Sequence, residues 1–305
     1  MPNPERKAML TPATLQKRRE LARFIEAVLA PDPAVQGVVG IGSVASGLCR
    51  PDSDIDALVF LDPFDWYVVP AEFKWRPADG SFHSIFSAEI DPAECVDFDL
   101  ARCDLAAWSD PAFAWPEGRR AELAAGWLAF DRAGRTAGLI AARAAYPAAL
   151  RTARLDEAIT WLDQHLGEDG PEVRWSSLGP LIAHDRLQAA YDYLVQALFA
   201  YNRRWRAWRN REMTALLELP WLPGRFAERL GDAALPPSPD HAGYTRRALA
   251  LRGLFDDLAG RLRADGEYGA DVIGEAFVRS QEEPGRAWNM DEWNARHRSR
   301  RTEPR

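Results

Sequence analysis

The sequence reads VVGIGS at residues 38–43 and DIDALVFL at residues 54–61, and this stretch decides the fold of the first part of the chain. An apolar run ends in a Gly-Ser pair, and ten residues after that pair come two aspartates one residue apart. Side chains of a strand alternate between its faces, so a strand over 54–61 would direct Asp54 and Asp56 to one face. Two carboxylates beside a small-residue turn with free backbone N–H groups suit a divalent metal ion carrying a phosphate. The pattern therefore indicates phosphoryl chemistry.

The residues around this stretch mix the helical and the extended periodicity. Thr11-Pro12 is typical of a helix N-cap followed by proline, and apolar residues then recur at helical spacing. We expect helices at 12–29, 43–47, 116–125 and 136–145, strands at 35–41, 54–61, 82–90, 94–101 and 126–130, and a loop at 62–81.

Beyond Pro147 the pattern is helical throughout, with no convincing strand. Helices are expected at 151–166, 178–206, 210–217 and 244–264, with proline-rich breaks at 220–223 and 235–239. The predicted fold class is α+β, a mixed-sheet domain followed by an all-helical bundle domain. We expect the first domain at 1–147, the bundle at 148–278 and a polar basic tail at 279–305.

Composition narrows the class of protein. The chain has 305 residues, a net charge of −7 and three scattered cysteines with no CxxC pair, which argues against a disulfide framework or a structural zinc site. No apolar stretch approaches the roughly 20 residues that span a bilayer, and the N-terminus lacks the apolar core of a signal peptide. We therefore expect a cytoplasmic protein with no membrane partner. The acidic charge argues against nonspecific nucleic-acid binding.

A third acidic segment, VDFDL at 96–100, places Asp97 and Asp99 on one face of a predicted strand. Beside the Asp54–Asp56 strand, one or both would complete a three-carboxylate cluster. Such a cluster can hold two magnesium ions roughly 3.5–4 Å apart, one orienting an attacking hydroxyl and one the triphosphate.

The Gly-Ser pair, the paired aspartates and the later acid together resemble the signature of the nucleotidyltransferase superfamily with the polymerase-β-like fold. The resemblance implies that Gly42 and Ser43 bind the nucleotide phosphates, that Asp54 and Asp56 bind metal, and that the third acid binds metal or acts as general base. Asp99 is preferred as that third acid. The string DLARCDL at 99–105 is similar to the ending of small family members, and Asp97 is the second choice.

The resemblance implies a Mg²⁺-dependent transfer of NMP from an NTP, with ATP the expected nucleotide, to an acceptor hydroxyl. A helical domain after the catalytic one also resembles aminoglycoside nucleotidyltransferases, so an aminoglycoside-like molecule is the first candidate for the acceptor. The second candidate acceptor is a partner protein, as in toxin–antitoxin pairs, and the third is an RNA 3′ end. The alternative class of function is a nucleotide-binding regulator without turnover. The acceptor residues of the antibiotic-modifying enzymes find no match here, and the oligomeric state stays open.

Four further features have two interpretations each. Ser53 either adds a hydroxyl to a phosphate or caps its turn, and Arg50 either reaches a phosphate or is solvated. The segment 201–211 interleaves aromatics with arginines, which suits a triphosphate or a base but also suits a helix end with buried rings. His184 beside an aspartate is more typical of a surface pair than of a base.

Overall fold

The computed structural model describes residues 10–87, 91–235, 238–281 and 290–301. Its chain divides into two compact units, Met1–Ala145 and Tyr146–Arg305. The first is called the N unit and the second the C unit. Together they confirm the predicted α+β class, because the N unit contains a mixed sheet and the described elements of the C unit are all helices.

The N unit is built on one six-stranded sheet. Its strands are β1 (Val35–Gly40), β2 (Ile55–Leu61), β3 (Glu72–Trp75), β4 (Phe82–His83), β5 (Val96–Asp104) and β6 (Trp127–Asp131). The spatial order is β4-β3-β5-β2-β1-β6, with β2 and β5 parallel and every other pair antiparallel.

Two strand predictions need correction. The expected loop at 62–81 contains β3, and the expected strand at 82–90 is limited to Phe82–His83 among the residues described, since 88–90 lie outside them. β3 is only four residues long, and it is extended because it pairs with β5. That pairing is a long-range contact that the local sequence does not reveal.

Helices cover both faces of the sheet. They are α1 (Pro12–Phe24), α2 (Gly42–Ser46), α3 (Leu105–Ser109), α4 (Glu117–Ala125) and α5 (Arg135–Arg143). On one face, Leu21 and Phe24 of α1 join a buried cluster with Val59 and Phe98, and the chain after α1 continues as a π-helix, Ile25–Leu29. On the other face, helices α3 to α5 cover Leu58 and Phe60. Strands β1 and β2 are therefore buried on both sides along most of their length.

The C unit contains eight helices in its described residues. They are α6 (Ala148–Leu166), α7 (Gly170–Leu178), α8 (Pro180–Tyr201), α9 (Arg209–Leu217), α10 (Phe226–Ala234), α11 (His241–Ala264), α12 (Val272–Gln281) and α13 (Met290–Arg301). One large apolar cluster joins α6, α8, α10, α11 and α12. No helix in the described part of the chain is long and apolar enough to cross a membrane.

The C unit departs from the expected helices in several places, and helices α7 and α12 are among those not expected. The helix expected at 178–206 begins only at Pro180, because Gly179 has a φ of +81°, and it ends at Tyr201. The helix α10 was not expected between the two proline-rich breaks. The segment expected as a tail, 279–305, contains the end of α12 and all of α13, and its remaining residues lie outside the described ranges.

Candidate active site

The Gly-Ser turn lies directly against the second aspartate of the pair. The backbone N–H of Ile41 donates to the Asp56 carbonyl at 3.0 Å, which joins the end of β1 to the start of β2. Gly42 follows with a φ of +59°, and a Cβ placed there would lie 2.6 Å from Oδ2 of Asp56. Any other residue at this position would be strained in its backbone and would collide with the carboxylate. The turn and the acid therefore form one local unit.

The parallel pairing of β2 with β5 places Asp99 directly opposite Asp56. Paired residues of neighbouring strands share a face of the sheet, so both carboxylates extend from the same side. Asp97 lies on that side as well, two residues earlier on β5. Asp56 is half-buried, whereas Asp97 and Asp99 are exposed. The strand register thus brings Asp99, rather than Asp97, next to the Asp56 position.

The same face changes character along β5. After the exposed Asp97 and Asp99 come the half-buried Ala101 and the buried Cys103, which belongs to the cluster under α3 to α5. Leu58, which follows Asp56 on β2, lies in the same cluster. The carboxylates therefore stand at the edge of the helical cover, with apolar packing on one side and open sheet on the other.

Asp54 lies immediately before β2 and is exposed. The preceding loop is closed by Ser53, whose Oγ accepts from the Arg50 N–H at 3.0 Å while its own N–H donates to the Arg50 carbonyl at 3.1 Å. The Arg50 side chain is 78% exposed and forms an ion pair with Asp52 at 3.3 Å. The contacts that the structure shows for Ser53 and Arg50 are thus those of a capped turn and a solvated arginine. The hydroxyl of Ser43 accepts a hydrogen bond from Sγ of Cys49 at 3.4 Å.

The donor set fits a hard divalent cation, because carboxylate oxygens are the ligands that Mg²⁺ prefers. The carboxylates are spread apart in the structure. In the described ranges, no group of three or more His, Cys, Asp or Glu side chains stands close enough together to hold a metal ion. The backbone places Asp56 opposite Asp99 in the strand register. It also places Asp54 two residues before Asp56, directly ahead of β2.

Strand β3 adds charged residues that the sequence reading missed. Glu72 pairs with Asp99 and Lys74 pairs with Asp97, so both lie on the carboxylate face. Glu72 is exposed. The opposite-charge pair at Lys74 and Asp97 favours the sheet, whereas the like-charge pair at Glu72 and Asp99 opposes it. The signal for Glu72 was available only once β3 was recognised as a strand.

Part of the chain matches a known protein family. Residues 21–82 match the nucleotidyltransferase domain family, and this range contains Gly42, Ser43, Asp54 and Asp56. The chain carries a nucleotidyltransferase domain. This match confirms the superfamily predicted from the motif, and it ends before Asp99.

A solved structure of a nucleotidyltransferase-like protein from Exiguobacterium sibiricum 255-15 is also similar to the chain. The two are 15% identical, with a TM-score of 0.39, and the alignment covers 91% of this chain and 82% of that one. No curated protein matches the sequence.

Outside the nucleotidyltransferase domain, the Arg/Trp segment 201–211 is largely engaged within the C unit. Trp205 is buried and packs against Tyr146, with the ring centroids 4.5 Å apart and the ring planes inclined at 45°. The buried Glu212 accepts from Arg206 and Arg209, each at 2.7 Å. His184 packs against Tyr244, 5.4 Å between ring centroids, and its Nε2 lies 3.3 Å from the Pro239 carbonyl. These contacts are those of a packed helix end.

Proposed function

We propose that the protein transfers a nucleoside monophosphate from an NTP to an acceptor hydroxyl and releases pyrophosphate, with Mg²⁺ as cofactor and ATP as the expected nucleotide. The observation that carries the proposal is the register of Asp56 with Asp99 on one sheet face, beside a turn at Gly42 that lies directly against the Asp56 carboxylate. The family match at 21–82 supports the reaction class.

The residues of the site would bind either the metal ions or the phosphates in this proposal. Asp54, Asp56 and Asp99 would hold the divalent cations, which neutralise the charge of the triphosphate. The backbone N–H groups of Gly42 and Ser43 would donate to phosphate oxygens, and the Ser43 hydroxyl would add a third donor. Asp97 is the alternative third ligand.

The chemical step needs little from the protein beyond position and charge. The acceptor hydroxyl lies against the Asp99 carboxylate, which aligns it and takes up its proton. The hydroxyl oxygen then forms a bond to the α-phosphorus, and the bond from that phosphorus to the α,β-bridging oxygen breaks. The electron pair of that bond leaves with pyrophosphate, and the nucleotidyl ester remains on the acceptor.

An acceptor that carries amino groups, such as an aminoglycoside-like molecule, is favoured by the surface beside the site. Glu72 and Asp97 add exposed carboxylates to the face that holds Asp99, and an acidic surface attracts a cation. Nucleotidylation of a partner protein is the alternative.

The test is an incubation of the whole chain with each of the four labelled NTPs, Mg²⁺ and an acceptor panel of aminoglycosides, proteins and RNA. Pyrophosphate release with label on one acceptor class supports transfer and names the acceptor. Asp54→Asn should abolish transfer, because an amide is a poor magnesium ligand. The matched control Asp52→Asn, in the same exposed loop, should retain it. Full activity of Asp54→Asn, or nucleotide binding without any turnover, would contradict the proposal.

The same assay distinguishes the two candidates for the third acid. Asp99→Asn should lose nearly all transfer, because Asp99 lies opposite Asp56. Asp97→Asn should lose far less, since Asp97 lies one position before the paired stretch of β2 and β5 and its partner on β3 is Lys74. The reverse order of losses would assign the role to Asp97.

A further inference from the structure

Helix α1 has a polar stripe as well as the apolar stripe that packs on the sheet. Thr11, Thr14 and Arg18 recur at intervals of three and four residues, so they lie on one side of the helix. All three side chains contact residues 44–49, the segment that follows the Gly-Ser turn. The apolar stripe, by contrast, contains Leu21 and Phe24.

Arg18 holds the end of the short helix α2. Its Nε donates to the Val44 carbonyl at 3.0 Å and its Nη2 to the Ala45 carbonyl at 3.2 Å. A helix of five residues leaves its last carbonyls without partners in the helix, and the guanidinium supplies them. The same guanidinium lies over the Trp127 ring, 4.6 Å from its centroid, and Trp127 pairs with Gly40 at the end of β1. Arg18 thus joins both ends of the turn region.

The two threonines fix the chain that leaves α2. The N–H of Cys49 donates to Oγ1 of Thr14 at 3.0 Å, and Oγ1 of Thr11 donates to the Cys49 carbonyl at 3.2 Å. Thr14 is fully buried, so this polar contact is shielded from water. The segment after the turn is therefore held at residues 44, 45 and 49 by one helix.

We infer that Arg18 is a positioning residue for the Gly42–Ser43 turn and thereby for nucleotide binding. The inference rests on the proposed function for the role of the turn, and it concerns a residue outside the matched range 21–82. Because Gly42 begins α2 and abuts Asp56, a shift of α2 moves the phosphate turn relative to the metal-binding acid. Loss of the Arg18 contacts should lower the affinity for NTP while changing the thermal midpoint of the protein little.

The experiment compares Arg18→Met, which keeps the stem and removes the donors, with Arg18→Lys, which keeps a donor and the charge over Trp127. Arg19→Met, the exposed neighbour on α1, is the matched control. Binding of Mg²⁺ with each of ATP, GTP, CTP and UTP is measured by calorimetry on the whole chain, together with the thermal midpoint. Hydrogen exchange of the amides at 42–49 is followed without nucleotide.

We expect Arg18→Met to bind the preferred nucleotide about tenfold more weakly and to speed amide exchange at 42–49, with Arg18→Lys between it and the wild type. Arg19→Met should match the wild type in both. Unchanged exchange and affinity in Arg18→Met would overturn the inference, as would equal losses in Arg19→Met. If the wild type binds none of the four nucleotides, the proposed function fails. In that case the exchange data alone decide whether Arg18 holds the turn.

Discussion

Replacement of Gly42 by alanine tests the contact between the phosphate turn and Asp56. The residue has a φ of +59°, where an alanine costs about 1–2 kcal/mol relative to glycine. Its new Cβ would start 2.6 Å from Oδ2 of Asp56, and an ordinary contact needs 3.4 Å, so the carboxylate or the turn must move by about 0.8 Å. A displacement near 1 Å in a catalytic group can lower the rate on the order of 100-fold. We therefore expect Gly42→Ala to lose about 100-fold in the rate of nucleotidyl transfer.

Gly134 provides the matched control. It has a φ of +73°, and a Cβ there would meet nothing within 4 Å, so Gly134→Ala shares the backbone cost without the collision. Urea unfolding should show similar losses of about 1–2 kcal/mol for the two variants. Initial rates of pyrophosphate release should separate them, with Gly134→Ala close to the wild type. A Gly42→Ala protein with wild-type rate would refute the reasoning, and an inactive Gly134→Ala would show that the loss comes from backbone strain alone.

Two predictions concern the C unit and are checked by urea unfolding. Asp156 is buried and accepts from Tyr268 Oη at 2.7 Å and from Arg279 Nε at 2.8 Å, so Asp156→Ala should lower the free energy of unfolding by about 3 kcal/mol. A loss below about 1 kcal/mol would contradict this assignment. Burial lowers the pKa of His165 to about 4, so between that pH and its ordinary value of 6.5 the unfolded chain binds the proton and the native chain does not. Stability should therefore fall as the pH drops through this window, by about 3 kcal/mol at most, and His165→Phe should lack this component. Equal pH dependence in the two proteins would contradict it.

The sequence predicted the first half of the site because that half is local. Residues 38–61 carry the apolar run, the glycine turn and the paired acids within one continuous stretch, and each feature has its own local signature. The outcome is β1, α2 and β2 close to the expected bounds. The signal for helix α1 was also local, since a capping threonine and a proline mark its start.

The parts that were missed depend on long-range contacts. Glu72 was placed in a loop because prolines and aspartates surround it, and only pairing with β5 makes its segment a strand. Asp99 was preferred over Asp97 on the family resemblance alone, because the strand register that places Asp99 opposite Asp56 is set across the sheet rather than along the chain. The contacts of the polar stripe of α1 could not be predicted for the same reason, since its partners Val44 and Cys49 lie far from it in the sequence.

The pairing of β2 with β5 also determines when Asp56 and Asp99 can come together during synthesis of the chain. Asp56 and Asp99 are 43 positions apart, and the two hairpin strands β3 and β4 are made between them. At roughly 5–20 residues per second, a growing chain carries the paired aspartates for about 2–9 s before Asp99 is synthesised. During that interval the nascent protein has the Gly42–Ser43 turn and the two aspartates but no β5 to set Asp99 opposite Asp56. Under the proposed function, nucleotidyl transfer should therefore begin only after β5 has joined the sheet.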